Sequence, residues 1–182
     1  MEMDKILFMG LAQSGKTSIC SLIVEETIRN DHSEHIPTIK YNRMTKDFII
    51  NDTHKKLQII DTGGQISYFQ LFYDKLEEFL FSDIAVFIWV IDIATLDIPS
   101  NKELLGKAVE SLKKYSPDSK ILCFLHKSDL VKTKVLNDSI TRLENDLFFG
   151  LDKTITFFTT TIFNDSIQKI IENYIKLNVP LI

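Results

Sequence analysis

The chain has 182 residues, 45% of them hydrophobic and 25% charged, which is the composition of an ordinary globular protein and the length of one domain. Its formal net charge is −4 and basic residues never form a long run, which argues against a nucleic-acid partner recognised by charge. The longest apolar run, Ile84–Ile91, has the length of a buried strand and is far too short to cross a bilayer.

Apolar runs alternate with helical patterns along the chain. Lys5–Gly10 predicts a buried strand, Lys16–Arg29 a helix, and two apolar segments on either side of the turn-rich residues 51–54 an antiparallel hairpin. The later segments are, in order, a buried strand at 83–92, a helix marked by Leu104 to Tyr115, a strand at 120–126, a helix at 134–148, a strand at 153–159 and a helix marked by Ile167 to Ile175. This order predicts an α/β fold with a mainly parallel sheet, whose ligand lies beyond the carboxyl ends of the strands.

The segment that joins the first strand to the first helix carries a phosphate-binding pattern. Residues 10–17 read G-L-A-Q-S-G-K-T and match G-x-x-x-x-G-K-[ST], in which glycines let backbone N–H groups turn towards phosphate oxygens. Lys16 would place its charge on the β- and γ-phosphates of a nucleoside triphosphate, and the Thr17 hydroxyl would bind Mg²⁺. An ordinary strand-to-helix turn is the alternative. The residues assigned to nucleotide binding here are Gly10, Ala12, Gln13, Ser14, Gly15, Lys16, Thr17 and Ser18.

A second pair of glycines follows the strand that ends at Asp61, in the segment D-T-G-G-Q. A carboxylate at this strand end can hold the water shell of Mg²⁺, the backbone N–H of Gly64 can reach the γ-phosphate, and Gln65 can orient an attacking water. A strand terminator with a flexible turn is the alternative. Together with the first motif, the segment predicts that Lys16, Gly64 and Gln65 act in catalysis.

The third motif, His126-Lys127-Ser128-Asp129, directly follows a buried strand. Asp129 can accept hydrogen bonds from the N1–H and N2–H₂ groups of guanine, an edge that adenine lacks, and the stem of Lys127 can lie along the base. A solvated turn is the alternative, but the place of the motif at a strand end favours base recognition. The residues after the last strand, Thr160 to Ile162, have no specificity of their own; the backbone of Thr161 and Ile162 could reach guanine O6.

These elements, in this order and at this spacing, resemble the Ras superfamily of small GTPases over almost the whole chain. The double glycine before Gln65 is similar to the Arf and Rag/Gtr branches, and His126 at the first position of H-K-S-D is similar to Rag/Gtr in particular. The resemblance implies one small-GTPase G domain over residues 1–182. Its fold would be a three-layer P-loop NTPase: a mainly parallel six-stranded sheet with one antiparallel edge hairpin and helices on both faces.

The resemblance also implies a function and further roles for matched residues. The protein would be a Mg²⁺-dependent molecular switch that binds GTP or GDP and hydrolyses GTP slowly to GDP and phosphate. Thr38, in the polar loop before the hairpin, would join Thr17 on Mg²⁺, with Asp61 as the third metal-site residue. Lys127 and Asp129, together with His126, would form the guanine site.

Three departures from the family pattern change what we expect. Ala12 replaces a glycine of Ras-type loops, so its methyl group would crowd an arginine finger from a partner. No arginine lies in the phosphate loop; Arg29 and Arg43 flank the loop that contains Thr38 and could act as a finger in cis. His126 makes fewer hydrogen bonds than the usual asparagine, which predicts a lower nucleotide affinity.

The segment Ile66–Phe81 is rich in aromatic residues, and most of them are expected to pack in the core. A further hypothesis is that Tyr68, Phe69 or Phe72 becomes exposed in the GTP state and anchors an effector. We expect effector, GTPase-activating and exchange proteins to bind the Thr38 and Tyr68–Tyr73 regions. Rag proteins continue into a C-terminal dimerisation domain, whereas this sequence stops after its last predicted helix and gives no basis for a Rag-type heterodimer. A dimer with a related GTPase or a roadblock-type protein stays open.

Other features predict the location and exclude other sites. The chain shows no secretory signal and no lipidation motif, so we expect a cytoplasmic protein that reaches membranes only indirectly. Cys20 and Cys123 lie in apolar segments and predict buried thiols, and His32, His35 and His54 are expected to be solvated. The alternative functions are a GTP- or GDP-binding module with negligible hydrolysis, and a small-molecule kinase with a P-loop.

Overall fold

A computed structural model of the protein describes residues 4–25, 38–50, 53–147 and 154–178. The strands and helices of these ranges alternate along most of the chain. The strands are β1 (Lys5–Met9), β2 (Tyr41–Ile50), β3 (Thr53–Thr62), β4 (Ile84–Asp92), β5 (Lys120–His126) and β6 (Ile155–Thr159). The helices are α1 (Lys16–Glu25), α2 (Ile66–Lys75), α3 (Glu77–Phe81), α4 (Ile98–Tyr115), α5 (Thr133–Asp146) and α6 (Ser166–Asn178).

The six strands form one sheet in the order β2-β3-β1-β4-β5-β6. All neighbouring pairs are parallel except β2 and β3, which form an antiparallel hairpin at one edge. Helices α2 to α5 pack on one face of the sheet, and α1 and α6 pack on the other. The predicted fold class, a three-layer α/β P-loop NTPase fold with one antiparallel edge pair, is therefore confirmed.

The central strands are buried on both faces, as the apolar runs predict. The side chains of β1 from Ile6 to Met9 are inaccessible to solvent, and so are Val86 to Val90 of β4. Trp89 is buried in this layer, where its indole N–H donates to the side-chain oxygen of Asn101 at 2.8 Å. Because these strands are parallel, their carboxyl ends lie at one common edge of the sheet, which is where the phosphate loop begins.

The structure differs from the predicted elements most clearly in the hairpin and in the segment that follows Gln65. The hairpin strands are ten residues long each and Ile50 pairs with Thr53, so Thr53 and His54 belong to β3 and not to the predicted turn. The segment 66–81 forms two helices that break at Leu76, which the aromatic pattern alone did not reveal. The predicted continuation of α1 to Arg29 lies outside the described residues.

Candidate functional site

The loop between β1 and α1 has the backbone conformation that its glycines permit. Gly10 has a φ of +147° and Gly15 a φ of +97°, in the region that residues with a Cβ avoid. Gly10 also packs directly on β4, where an added Cβ would lie 2.2 Å from the carbonyl oxygen of Val90. Both glycines are therefore required for this loop to form.

Lys16, the first residue of α1, folds back into the loop. Its ammonium group donates to the carbonyl oxygens of Gly10 at 2.9 Å and Leu11 at 2.8 Å, and to the hydroxyl of Ser14 at 3.2 Å. The side chain is almost completely buried, and this burial lowers the pKa of Lys16 to about 8, although the negative charge of Asp61 acts in the opposite direction. The loop thus holds a buried ammonium group whose lost hydration is only partly replaced by the carbonyl groups of the loop.

Three oxygen-bearing side chains from distant parts of the chain converge beside Lys16. Thr17 donates its hydroxyl to Asp61 at 2.7 Å, Thr38 donates to the same carboxylate oxygen at 3.1 Å, and the two hydroxyls lie 3.0 Å apart. Asp61 is buried at the carboxyl end of β3. A carboxylate and two hydroxyls form a hard oxygen donor set, which fits Mg²⁺ with part of its shell supplied by water and phosphate. All three predicted metal-site residues are therefore together.

The double glycine lies against the phosphate loop and against the segment that contains Thr38. A Cβ on Gly64 would come within 2.5 Å of the backbone nitrogen of Ala12, and a Cβ on Gly63 within 2.5 Å of the carbonyl oxygen of Thr38. The N–H of Gly63 donates to the carbonyl oxygen of Lys40. Gln65 follows as the exposed N-cap of α2. These close approaches tie the predicted catalytic segment to both neighbouring loops.

Lys127 connects the third motif to the phosphate loop. Its ammonium group donates to the carbonyl oxygen of Gln13 at 2.7 Å and pairs with the carboxylate of Asp92 at 2.6 Å. Asp92 ends β4 and also accepts a hydrogen bond from the N–H of Ala94. Asp129 is exposed in the short helical turn that follows Lys127. The motif therefore lies at the same sheet edge as the phosphate loop, and Lys127 forms its ion pair with Asp92 and not with Asp129, the carboxylate of the motif.

His126 is a buried contact between β5, β6 and the phosphate loop. Its Nδ1 lies 3.1 Å from the hydroxyl of Thr160, and an added Cβ on Gly15 would lie 2.4 Å from its Cδ2. Burial lowers the pKa of His126 to about 4, and the charge of Lys127 acts in the same direction, so the ring is neutral near pH 7. The backbone N–H of Ser128 donates to the carbonyl oxygen of Thr160, which fixes the two base-side loops to each other.

The remaining residues named in the sequence analysis contact other parts of the structure, are exposed, or lie outside the described residues. Arg43 does not reach the phosphate loop, because its guanidinium stacks on Phe79 at 4.2 Å from the ring centroid, on the α2–α5 side of the sheet. Arg29, His32 and His35 lie outside the described residues, and His54 is exposed on β3. Thr161 accepts a hydrogen bond from the backbone of Phe163. A finger in cis from Arg43 is thus excluded in this structure.

The aromatic segment after Gln65 packs mainly in the core. Phe69 and Phe72 are buried against Trp89 and α4, so exposure of either in the GTP state would require α2 to move, and that hypothesis stays a prediction. Tyr68 is half-buried over Gly63, and Tyr73 donates its hydroxyl to the carbonyl oxygen of Leu104 at 2.9 Å. Of the three proposed anchors, only Tyr68 offers surface to a partner.

Sequence reasoning missed Asp92, and it named Thr160 among the residues after the last strand without foreseeing that its hydroxyl contacts His126. Asp92 could have been found, because it is a carboxylate at the carboxyl end of a buried parallel strand, where ligand-facing groups collect. Thr160 gives no such signal: its hydroxyl contacts His126 and its carbonyl accepts from Ser128 only because β5 and β6 pair in register.

The described ranges contain no group of three His, Cys, Asp or Glu side chains that could hold a metal ion. None of the helices in those ranges combines the length and hydrophobicity that crossing a bilayer requires. Cys20 and Cys123 are buried and reduced, as predicted.

Comparison with known proteins gives a consistent picture. Residues 5–180 match the family model described as the Gtr1/RagA G protein conserved region. The chain is 30% identical over 172 residues to GTP-binding protein GTR1 of Saccharomyces cerevisiae, a match that covers 91% of this chain and 54% of the relative. It is 31% identical over 182 residues to human Ras-related GTP-binding protein C, covering 97% of this chain and 44% of the relative. The chain thus spans about half the length of the curated relatives it matches.

Proposed function

The chain belongs to the Gtr1/RagA family of G proteins, and from this premise we propose that it is a Mg²⁺-dependent molecular switch that binds GTP and hydrolyses it slowly to GDP and phosphate. The observation that carries the proposal is the convergence of Thr17, Thr38 and Asp61 within 3.1 Å beside the buried Lys16. A charged lysine, inward backbone N–H groups and a hard oxygen donor set are the parts that phosphoryl transfer from a nucleotide requires.

In this proposal the phosphate loop binds the triphosphate. Lys16 exchanges its carbonyl partners for the β- and γ-phosphate oxygens, and the N-terminal end of α1 adds its positive dipole. Thr17, Thr38 and Asp61 would hold Mg²⁺, directly or through water, and the bound ion would neutralise charge that develops on the β- and γ-phosphates. The loop residues from Gly10 to Ser18 supply the surrounding contacts.

Hydrolysis is then a matter of positioning. Gln65 orients a water in line with the bond between the γ-phosphorus and the bridging oxygen, and the N–H of Gly64 binds a γ-phosphate oxygen. The water oxygen forms the new bond to phosphorus, the bond to the bridging oxygen breaks, and the water proton leaves with the phosphate. No described arginine reaches the loop, so slow turnover follows unless a partner completes the charge stabilisation.

The base site follows from the third motif. Asp129 accepts the two guanine donors, and the stem of Lys127 passes along the base between its contacts with Gln13 and Asp92. His126 keeps the phosphate loop and the base loops together through Gly15 and Thr160. The backbone of Thr161 and Ile162 completes the site at guanine O6.

Partner proteins would bind apolar residues next to the catalytic groups and so distinguish the GTP-bound from the GDP-bound protein. Ile39, next to Thr38, is 72% exposed, and Ile66, next to Gln65, is 68% exposed. Such side chains are typical of surfaces that bind a protein. We propose that effector, GTPase-activating and exchange proteins contact these positions and Tyr68, in a cytoplasmic setting.

The deciding experiment compares two glutamines of the same region. Gln65→Leu should lower single-turnover GTP hydrolysis by at least about tenfold while leaving GTP affinity within about twofold, because the amide acts on the attacking water. Gln70→Leu, an exposed glutamine on α2, is the matched control and should leave both quantities unchanged. Equal hydrolysis by Gln65→Leu and the unsubstituted protein would remove Gln65 from catalysis.

Two further outcomes separate the alternatives. Tight GTP and GDP binding with no phosphate release, with or without cell extract, would identify a nucleotide-locked binding module. Competition assays in which ATP displaces bound nucleotide as well as GTP does would favour a P-loop kinase, since H-K-S-D would then have no role.

A further inference from the structure

Among the residues that the structure describes, no strand pairs with the outer edge of β2. β2 is the terminal strand of the sheet, and within the described ranges only β3 pairs with it. All ten residues of β2 keep one unbroken register with β3 and none is a proline, so no bulge or missing N–H interrupts the edge. Natural edge strands carry bulges, prolines or charged side chains because an open edge can pair with another strand, and β2 has only the charged side chains, whose arrangement decides which partner strand fits.

The hydrogen bonds of the neighbouring strands show which residues of β2 face outward. Gln58 of β3 donates its N–H to Asp4, on the β1 side, and Gln58 lies opposite Thr45. The hydrogen-bonding groups of Thr45 therefore point away from β3, because the two residues of an antiparallel pair are either bonded to each other or both face away. At the other end of the hairpin, Gly63 donates its N–H to the carbonyl oxygen of Lys40, so these two residues are bonded to each other. The next pair, Tyr41 with Thr62, therefore faces away, as Thr45 and Gln58 do. The outward residues are Tyr41, Arg43, Thr45, Asp47 and Ile49.

The side chains of these five residues share one face of the sheet and are mostly accessible. Arg43, Thr45 and Asp47 are exposed, and Ile49 is 65% exposed although it is large and apolar. Arg43 and Asp47 carry opposite charges four positions apart, with Thr45 midway between them. Arg43 and Asp47 therefore lie at equal distances on either side of Thr45 and carry opposite charges.

That symmetry selects one register for pairing two copies of β2 antiparallel about a two-fold axis. With Thr45 on the axis, Arg43 of each copy faces Asp47 of the other, Tyr41 faces Ile49, and all five outward residues form bonded pairs. If the axis passes through Arg43, Lys46 or Asp47, that residue faces the identical residue of the other copy, and the two like charges repel. An axis at Met44 produces no facing charge pair at all.

We propose that β2 is a self-association surface, on which a second copy of this chain adds its own β2 antiparallel in the Thr45-centred register. The two sheets then form one continuous twelve-stranded sheet, with two Arg43–Asp47 pairs across the seam and Ile49 covered by Tyr41. The partner is a second copy because the charge pattern complements itself in this register. This proposal stands apart from the nucleotide chemistry, which involves none of the five outward residues.

Charge reversal tests the register. Arg43→Asp and Asp47→Arg each create two like-charge pairs and should raise the dimer dissociation constant on the order of tenfold or more, measured by sedimentation velocity over a concentration series. The double variant restores opposite charges and should dimerise like the unsubstituted protein. An equimolar mixture of the two single variants should form a heterodimer, since acidic residues of one copy then face basic residues of the other. Arg142→Asp and Asp138→Arg, exposed on α5, are matched controls.

Cross-linking tests the axis directly. Facing residues of a bonded antiparallel pair have Cα atoms about 5.5 Å apart, within the range of a disulfide. Thr45→Cys should therefore give a covalent dimer on mild oxidation. Asp47→Cys, whose Cα atoms would be roughly 14 Å apart in the dimer, and Thr141→Cys on α5 should not. The native cysteines are buried and do not compete.

The outcomes decide the proposal without reference to GTP hydrolysis. A protein that stays monomeric at its highest soluble concentration, or single charge reversals that dimerise as well as the unsubstituted protein, would overturn it. Cross-linking of Asp47→Cys rather than Thr45→Cys would overturn the register. Thermal unfolding of every variant shows whether it is folded, and the mixed heterodimer distinguishes lost complementarity from damage to β2.

Discussion

Raising the pH through the pKa of Lys16 should weaken nucleotide binding. Burial lowers the pKa of Lys16 to about 8, from the 10.5 of a free lysine, because the ammonium lies among carbonyl groups away from water. A bound triphosphate surrounds the same ammonium with negative charge and raises its pKa again. Binding therefore requires the protonated lysine, and above pH 8 a proton must be taken up with the nucleotide.

The size of the effect follows from the pKa of the free protein. Relative to pH 7, affinity should fall about twofold at pH 8 and about tenfold at pH 9, which is about 1.4 kcal/mol. Nucleotide phosphates are already ionised across this range and do not share the trend. Near pH 8, about half a proton should be taken up for each nucleotide bound.

Titration calorimetry of the nucleotide-stripped protein with GDP and Mg²⁺ measures both quantities. Heats recorded in two buffers of different ionisation enthalpy give the proton uptake, and isotherms from pH 7 to 9 give the affinity. Lys16→Arg is the control, because arginine stays charged throughout this pH range. All other titrating groups are the same in the variant and in the unsubstituted protein. Constant affinity in the unsubstituted protein, or an equal decline in both proteins, would refute the reasoning.

Three further changes test other parts of the structure. Gly15→Ala should abolish tight nucleotide binding, because the added Cβ would lie 2.4 Å from the His126 ring and the φ of +97° is strained for alanine. Gly106→Ala is the control inside α4, where the added Cβ meets open space. It should raise the free energy of unfolding in urea by about 0.5–1 kcal/mol. The His126 pKa of about 4 lies below its unfolded value of 6.5, so the unfolded chain binds the extra proton and stability should fall by up to about 3 kcal/mol as the pH drops from 6.5 to 4. His126→Asn should flatten that slope in denaturant titrations at each pH; an unchanged slope would exclude the imidazole. Phe72→Ala should lower the free energy of unfolding by about 3–5 kcal/mol, and a loss below about 1 kcal/mol would contradict its place in the core.

The sequence by itself determined the parts of the site that neighbouring residues build. The phosphate loop, its lysine and the strand-to-helix context are contiguous, so spacing and residue type define them before any packing is known. The parallel sheet also followed from the chain, because doubly buried strands separated by helices allow few other arrangements. The family match extends well beyond these motifs, since it covers residues 5–180.

Only the tertiary structure decided which distant residues meet. The resemblance implied that Thr17, Thr38 and Asp61 form one metal site, but their contact depends on the fold: both threonine hydroxyls donate to the same Asp61 oxygen because α1, the segment before β2 and the end of β3 converge. Arg43 stacks on Phe79 and does not approach the phosphate loop. Phe72 lies in the core for the same reason: packing of α2 on α4, and not aromatic content, fixes which side of the helix faces solvent. Local propensity follows from adjacent residues, whereas register and long-range packing depend on the whole fold at once, and single-sequence patterns do not contain them.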